Sequence, residues 1–136
     1  MPKVASSLLK NEEGKILLLK RSQKVSTYRG MWGIVAGYVE NGEKPYETAI
    51  KEIREEVGIY EDDLELIKQL DPVGFTDFYD GKKFDWKIYP FFFIIKKKGK
   101  INIDWEHLEY CWIHPTDIEK YNTVPRLKEI VKRLLS

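Results

Sequence analysis

A single amphipathic segment, residues 45–58, constrains the fold of this chain more than any other part of the sequence. Its apolar residues recur at helical spacing, which predicts a helix with one buried face. These residues are Ala49, Ile50, Ile53 and Val57. Pro45 suits the first turn of a helix, and Gly58 suits the position just after its end. The segment is therefore predicted to be the best-defined helix of the chain.

Shorter apolar runs on both sides of this helix predict β-strands. The predicted strands cover residues 4–9, 15–20, 32–39, 64–70, 75–79, 83–95 and 109–113. Residues 11–14 predict the turn of an opening hairpin, and Asp80-Gly81 is a strong signal for a second hairpin. A short helix is predicted from Pro115, and a last helix that begins near residues 123–125. This order of elements predicts an α/β (α+β) fold and a single domain, residues 1–136.

Three glutamates, Glu52, Glu55 and Glu56, fall at positions i, i+3 and i+4 of the predicted helix and so share one face. This face is predicted to lie opposite the apolar stripe. Like charges repel one another, and these three lie near the helix C-terminus, where the helix dipole disfavours anions. Divalent cations would neutralise them, and Mg²⁺ prefers such hard oxygen ligands. The alternative is a solvated acidic face, which three glutamates alone would favour.

Residues 37–59 as a whole resemble the Nudix box, the signature of the MutT-like Nudix hydrolases. The box has a glycine, five residues, a glutamate, seven residues, a basic residue, and then glutamate-hydrophobic-x-glutamate-glutamate-x-glycine-hydrophobic. The matching positions are Gly37, Glu43, Glu52, Ile53, Glu55, Glu56, Gly58 and Ile59. So many fixed positions in one short segment argue against a chance match.

The resemblance implies a Nudix fold, an α/β/α sandwich with a mixed β-sheet, over the whole chain. It also implies hydrolysis of a nucleoside diphosphate linked to another moiety, with Mg²⁺ as cofactor and Mn²⁺ as the alternative ion. By matching position, Glu52, Glu55 and Glu56 are implied to bind the metal and to share in catalysis. The Gly37 carbonyl is implied as a further ligand, and Glu43 is implied to brace the loop and the helix.

One position departs from the box, because Lys51 stands where the family has an arginine immediately before the first glutamate of the final run. In the family, that arginine helps to position the catalytic glutamates through paired hydrogen bonds. Lysine keeps the charge but loses the planar fork that makes two parallel bonds. The departure therefore bears on the efficiency of catalysis, since every metal-site glutamate is retained.

A further carboxylate is expected on a loop before a late strand, where members of this family often place a base or a metal ligand. Glu106, six residues before Trp112, is the first candidate, and Asp104 is the second. An ordinary surface acid is the alternative for both. The neighbouring His107 could contribute in place of these acids, but it is predicted to face solvent on this loop.

Arginines near the end of the second predicted strand, Arg21 and Arg29, are candidates to bind substrate phosphates, since a guanidinium grips phosphate oxygens in pairs. Trp32 is the candidate to contact the rest of the substrate. The aromatic residues that could stack a base are Tyr28, Trp32, Phe75, Tyr79 and Trp86. Packing in the core or on a sheet face is the alternative for each of them.

The charge balance of the chain, 23 basic against 22 acidic residues, gives a net charge of +1 and does not indicate a nucleic-acid partner. The basic cluster at residues 96–100 is predicted to be an exposed hairpin turn. The longest apolar run, residues 91–95, is too short to cross a bilayer, and the start of the chain shows no signal peptide. A cytoplasmic location is therefore expected.

The function predicted from these features is a Nudix pyrophosphohydrolase acting on a small nucleotide-type molecule: a nucleoside triphosphate, a nucleotide sugar or a dinucleoside polyphosphate. One alternative is a non-catalytic domain that senses a nucleotide, but the box keeps all its glutamates. The other is an isoprenoid diphosphate isomerase, which needs a cysteine near the start of the box. Cys111, the only cysteine, is far along the chain and is predicted to pack in the core. The oligomeric state stays open, and a homodimer is compatible with the sequence.

Overall fold

Among the described residues, eight strands and two α-helices form close to the predicted positions, except that one predicted strand is divided in two. The computed structural model describes residues 2–96 and 100–136, so the predicted turn at 96–100 lies largely outside the described residues. The strands are β1 (Lys3–Lys10), β2 (Ile16–Arg21), β3 (Trp32–Gly33), β4 (Val35–Tyr38), β5 (Leu64–Gln69), β6 (Val73–Tyr79), β7 (Lys82–Ile95) and β8 (His107–Ile113). The helices are α1 (Pro45–Val57) and α2 (Leu127–Leu135), with short 3₁₀ helices at Glu61–Asp63 and Pro115–Lys120.

The sheet is mixed because its central strand, β1, pairs in both senses. Strand β1 runs antiparallel to β4 and parallel to β7. The long strand β7 has β1 on one edge, and on its other edge it pairs with β6 and then with β5. The predicted opening hairpin is confirmed only at its turn, where Lys10 pairs with Ile16. Beyond that point β2 leaves β1 and pairs with β3 and β8.

Each face of the sheet is covered by one helix, which confirms the expected α/β/α sandwich. Successive residues of a strand point to opposite faces, so Leu9 of β1 contributes to one core and Leu8 to the other. The first core joins the sheet to α1 through Ala49, Ile53 and Val57. The second core joins the other face to α2 through Leu127, Ile130, Val131 and Leu134. Burial of each large aliphatic side chain contributes about 1.5–3 kcal/mol.

Two predicted elements differ from the structure. The single strand predicted at 32–39 is two strands, because Trp32–Gly33 pairs with β2 whereas Val35–Tyr38 pairs with β1. The last helix begins at Leu127, after Arg126 adopts a left-handed backbone conformation with a φ of 69°. Within residues 2–96 and 100–136, no helix is long and apolar enough to cross a membrane.

Candidate active site

The ends of α1 are fixed by the residues that predicted them. Pro45 occupies the first turn, and Gly58 closes the helix with a φ of 77° while its N–H donates to the Arg54 carbonyl at 3.0 Å. A left-handed residue at this position costs glycine least, since it has no Cβ. The helix therefore ends at Val57, with its last turn against the sheet.

The loop before α1 is held by Glu43. Its carboxylate accepts hydrogen bonds from the Glu40 backbone N–H at 3.1 Å, the Thr48 hydroxyl at 2.9 Å and Lys51 Nζ at 2.6 Å. The hydrogen bond from Lys51, then those from Glu40 and Thr48, lower the pKa of Glu43 to about 2. Lys51 therefore bonds to this loop carboxylate. The family's arginine at this position is expected to orient the metal-site glutamates directly, whereas Lys51 bonds to Glu43.

Lys51→Ala should lower the melting temperature and reduce turnover by a few-fold, because the Glu43 loop loses its charged partner. Lys51→Arg should retain both properties, since arginine can donate to the same carboxylate. Activity and thermal unfolding of Lys51→Ala, Glu43→Gln and the double variant would check this. If Lys51 acts through Glu43, the double variant should be no worse than the poorer single variant. Losses that simply add would show that Lys51 acts directly on Glu52.

Helix α1 approaches β4 most closely where Gly37 meets Glu52. A Cβ at position 37 would overlap Glu52 Cγ and Cδ and would lie 2.8 Å from Glu52 Oε1. Only glycine leaves room for the glutamate side chain to cross the strand here. The absence of a side chain at Gly37 therefore sets the position of the Glu52 carboxylate, while the predicted role of its carbonyl as a metal ligand stays a prediction.

Two carboxylates of α1 and one from a distant loop converge beside this contact. Glu52, Glu56 and Glu106 each offer an oxygen, and these oxygens all lie within 4.8 Å of one another. Glu106 reaches the group because the loop before β8 is fixed on both sides. The Glu106 carbonyl accepts from the Ser22 N–H at 2.8 Å, and its own N–H donates to Asp104 Oδ1 at 3.1 Å.

Glu55, by contrast, is exposed and does not belong to this group of converging oxygens. Its charge still reaches the cluster, because it raises the pKa values of Glu52 and Glu106. Asp104 is half-buried and adds negative charge beside Glu106. The structure therefore brings two of the three predicted helix glutamates together with the first-choice loop acid.

The alternative of a solvated acidic face does not hold for Glu56, which is 1% exposed. The prediction that His107 faces solvent is also wrong, because this residue is 7% exposed and its Nε2 lies 2.8 Å from Glu56 Oε1. The cause is the pairing of β8 with β2, which shifts register between Lys20 and Arg21. That shift turns the His107 side chain inward, towards α1.

Burial and crowding control the ionisation of the cluster. Burial, followed by the negative charge of Glu106, raises the pKa of Glu56 well above its usual value. Burial, then the charges of Asp104 and Glu52, raise the pKa of Glu106 to about 7. Burial, then the positive charge of Arg21, lower the pKa of His107 to about 4. All these shifts oppose charge on side chains that are already close together.

A divalent cation fits this donor set. Three carboxylates supply hard oxygen ligands, and Glu56 Oε2 is buried with no hydrogen-bond partner in the described part of the chain. Buried polar atoms are normally paired, so a buried carboxylate oxygen without a partner in such a cluster suits a metal ligand. The chemistry of the donors favours Mg²⁺ or Mn²⁺ over softer metals.

The pKa of Glu106 should make the stability of the metal-free protein depend on pH. Its folded pKa of about 7 is above the usual 4.5, so its contribution to stability is complete below about pH 4.5 and is lost as the pH rises through about 7. We expect the melting temperature in EDTA to fall between about pH 5 and about pH 8, and to fall less steeply in Glu106→Gln. Calorimetry of both proteins would check this, and parallel curves would contradict the burial of Glu106 among like charges.

A pocket of about 250 Å³ adjoins the carboxylates. Glu52 and Glu106 form a charged part of its wall together with Arg21. Aromatic side chains form a second part, contributed by Tyr28, Tyr38, Phe75 and Trp86. Aliphatic side chains from the sheet and α2 complete it, including Ile34, Ile88, Leu127 and Ile130. A ligand in this pocket can therefore place a charged group at the carboxylates and an apolar group against the aromatic rings.

The predicted substrate-binding residues divide between this pocket and its surroundings. Arg21 lines the pocket, and its Nε donates to the Thr27 carbonyl at 2.9 Å. Arg29 lies outside the pocket lining, and its guanidinium pairs with Asp80 at 2.9 Å. Trp32 is also outside the lining and packs edge-on against Tyr121, with ring centroids 5.3 Å apart.

Of the other aromatic candidates, Tyr28, Phe75 and Trp86 reach the pocket, and Tyr79 does not line it. Tyr28 is fixed there by its hydroxyl, which donates to Asp77 at 2.7 Å and accepts from Trp86 Nε1 at 3.1 Å. Sequence reasoning missed Tyr38 and the α2 residues, because nothing in a single strand or helix tells which other element faces it. Cys111 is half-buried against the second core and lies outside the pocket lining.

Comparison with known proteins gives one consistent result. The model of the family described as NUDIX domain matches residues 2–134. The protein named nucleoside triphosphatase NudI from Escherichia coli (strain ATCC 8739) is 30% identical over 126 residues, which cover 88% of this chain and 86% of that protein.

Solved structures agree in fold. The dihydroneopterin triphosphate pyrophosphohydrolase of E. coli superposes with a TM-score of 0.80 at 21% identity, covering 96% of this chain and 92% of that one. The Ap4A hydrolase of C. elegans, in a binary complex, superposes with a TM-score of 0.79 at 19% identity, covering 99% of this chain and 96% of that one.

Proposed function

The chain belongs to the Nudix family and is a pyrophosphohydrolase of that family, and we propose that it cleaves a diphosphate linkage in a nucleoside diphosphate derivative. One observation carries the proposal: the carboxylates of Glu52, Glu56 and Glu106 converge beside a pocket, and two of them, Glu52 and Glu106, line its wall together with aromatic side chains. A nucleoside triphosphate is the first substrate to consider, because the NudI relative is named for that activity. A nucleotide sugar and a dinucleoside polyphosphate remain the other two candidates.

Glu52, Glu56 and Glu106 would hold Mg²⁺ or Mn²⁺, with Glu55 and the Gly37 carbonyl as further ligands. When bound, the cation would neutralise charge on the phosphate oxygens and favour ionisation of the attacking water. Two of these carboxylates come from one rigid helix, and the third comes from a loop tied to β2. The protein therefore holds the ligands in place before any cation binds.

Glu106 is the residue that we assign to accept a proton from the attacking water. It lines the pocket and is half-buried, so water held in the pocket is within reach of its carboxylate. Arg21 lies on the same wall, and its charge is close to Glu56 and Glu106. It would therefore pair with an oxygen of a phosphate bound at these carboxylates through the cation. Phosphate, water and base are thereby gathered at one side of the pocket.

The aromatic part of the pocket would hold the nucleoside. Trp86 is fixed through its indole N–H on Tyr28, and its ring stacks with Phe84 at a centroid distance of 5.0 Å. Trp86 is only 5% exposed, so it supports the wall, and the half-buried rings of Tyr28 and Phe75 would offer the flat apolar surface to a base. The cavity of about 250 Å³ is near the lower end of the usual size of small-molecule sites, which suits one nucleoside.

The test is phosphate release from a panel of nucleoside triphosphates, nucleotide sugars and dinucleoside polyphosphates, in Mg²⁺, in Mn²⁺ and in EDTA. A second set of reactions with added inorganic pyrophosphatase detects pyrophosphate released from a nucleoside triphosphate. A third set with added alkaline phosphatase detects the phosphomonoesters that nucleotide sugars and dinucleoside polyphosphates yield on cleavage. We expect cation-dependent release from at least one nucleotide. Glu65→Gln, an exposed position on β5, is the matched control for removal of one negative charge. No release from any nucleotide with either cation would refute the proposal.

A further inference from the structure

His107 is a buried residue that the proposed reaction does not use. Its side chain lies between β8 and α1, and its Nε2 is 2.8 Å from Glu56 Oε1. Both side chains are almost completely shielded from solvent, with exposed fractions of 2% and 1%. Because His107 contacts Oε1 of Glu56, the other oxygen, Oε2, is the one left to bind a ligand.

We propose that His107 is a positioning residue that donates a hydrogen bond to Glu56 Oε1 and thereby directs Glu56 Oε2 towards the cation. The inference rests on the proposed metal-dependent function of the carboxylate cluster. It assigns His107 no contact with substrate and no part in moving a proton. Its effect is on the orientation of one ligand.

The hydrogen-bond partners of the two ring nitrogens indicate the direction of the bond. Nε2 faces Glu56 Oε1, whereas Nδ1 is buried without a partner among residues 2–96 and 100–136. A proton on Nδ1 would leave a buried N–H group unsatisfied, which is rarer and more costly than an unused acceptor. The proton therefore belongs on Nε2, where it is donated to the carboxylate.

The bond leaves the two oxygens of Glu56 in different surroundings. Oε1 is occupied by His107, whereas Oε2 receives no hydrogen bond from a donor in the described chain. The Glu56 carboxyl otherwise lies against the carboxyl of Glu52. A carboxylate that is free to rotate would exchange these positions, but one that is bonded at Oε1 presents a single oxygen in a constant direction. Hydrogen bonds to ligating carboxylates act in this way in metal sites.

His107 also joins the two elements that supply the cluster. It belongs to β8, directly after Glu106, while Glu56 belongs to α1. The bond from His107 therefore fixes the spacing of Glu56 and Glu106 as well as the plane of the Glu56 carboxylate. Loss of the bond should weaken cation binding and slow the chemical step, with little effect on nucleotide binding.

The test compares His107→Leu, which removes the donor, with His107→Gln, whose amide N–H can reach a similar position. His114→Leu is the matched control, since His114 is the other histidine and is exposed. Mn²⁺ binding to the nucleotide-free proteins is measured by electron paramagnetic resonance. The kcat and KM for the best nucleotide of the panel are measured at saturating Mg²⁺.

We expect His107→Leu to bind Mn²⁺ about tenfold more weakly and to lose about tenfold to a hundredfold in kcat, as partners of metal ligands typically do. Its KM for the nucleotide should stay within about twofold. His107→Gln should recover most of both losses, and His114→Leu should match the parent. Unchanged Mn²⁺ binding and kcat in His107→Leu would overturn the proposal. An effect confined to KM, or a His107→Gln variant as impaired as His107→Leu, would also overturn it.

Two further outcomes are an inactive parent protein and a His107→Leu variant that does not fold. If the parent protein hydrolyses no nucleotide but His107→Leu still weakens Mn²⁺ binding, the proposed function fails and the positioning role stands. If His107→Leu does not fold, nitrogen-15 NMR of the Mg²⁺-saturated parent decides the question. A proton on Nε2 of His107 supports the proposal, and a proton on Nδ1 overturns it.

Discussion

Glu56→Gln should lose about a thousandfold in turnover and should also be more stable than the parent when metal is absent. The amide keeps the shape of the side chain and can still accept the bond from His107 at 2.8 Å. It removes the negative charge that would bind the cation, and a bound cation stabilises the transition state by several kcal/mol. A loss of about 4 kcal/mol corresponds to about a thousandfold in rate.

The gain in stability follows from the ionisation of the buried carboxyl. The folded pKa of Glu56 lies well above 4.5, chiefly because of burial, so the parent loses stability as the pH rises through that folded pKa. Glutamine cannot ionise and escapes this loss. The variant should therefore melt at a higher temperature than the parent at about pH 8 in EDTA, and the difference should shrink towards about pH 4.

Calorimetry in EDTA and in excess Mg²⁺ measures both effects together with the activity. Mg²⁺ should raise the melting temperature of the parent, because it binds the folded state, and should raise that of Glu56→Gln much less. Glu65→Gln should behave like the parent in both conditions. An equal Mg²⁺ response in Glu56→Gln and the parent would place the cation elsewhere.

Gly37→Ala is expected to have the second largest effect, a loss of about a hundredfold in turnover with reduced stability. The new Cβ would overlap Glu52 Cγ and Cδ, so either the side chain or the helix must move. Displacement of a catalytic group by about 1 Å can cost about a hundredfold. Overpacking of this kind costs about 1–3 kcal/mol of folding free energy.

A double variant separates this contact from a general disturbance of β4. Glu52→Ala removes the three atoms that the new Cβ would meet, so adding Gly37→Ala to Glu52→Ala should cost little further stability. Gly74→Ala is the control, because a Cβ there would meet its nearest atom at an ordinary 3.8 Å. Equal destabilisation by Gly37→Ala with and without Glu52 would show that the strand, and not the glutamate, rejects the side chain.

The sequence predicts well what is decided locally. Pro45 and Gly58 act on their own backbone, so the bounds of α1 follow from them directly. The turn at Asp80 and Gly81 is decided in the same way, with φ values of 51° and 75°. The resemblance to the Nudix box then adds which face of α1 is expected to carry the chemistry, and the family match over residues 2–134 confirms the family.

The errors lie where one element meets another. His107 was predicted to face solvent because a loop residue next to a strand has no periodicity of its own, and the irregular pairing of β8 with β2 decides its direction. A slip of one residue in register turns a side chain to the opposite face. The burial of Glu56 and the pairing of Lys51 with Glu43 depend on the same kind of contact between elements, which no local pattern contains.

The parallel pairing of β1 with β7 has a consequence for how the protein emerges from the ribosome. Lys3 pairs with Lys87, so the part of β7 that pairs with the second edge of β1 is synthesised more than 80 residues after β1 begins. At about 5–20 residues per second this delay lasts several seconds. Helix α1 is made during that interval, but Glu106 and His107 are made after β7. Helix α1 is therefore made before its partners Glu106 and His107, and the carboxylate cluster is complete only after residue 106 has been synthesised.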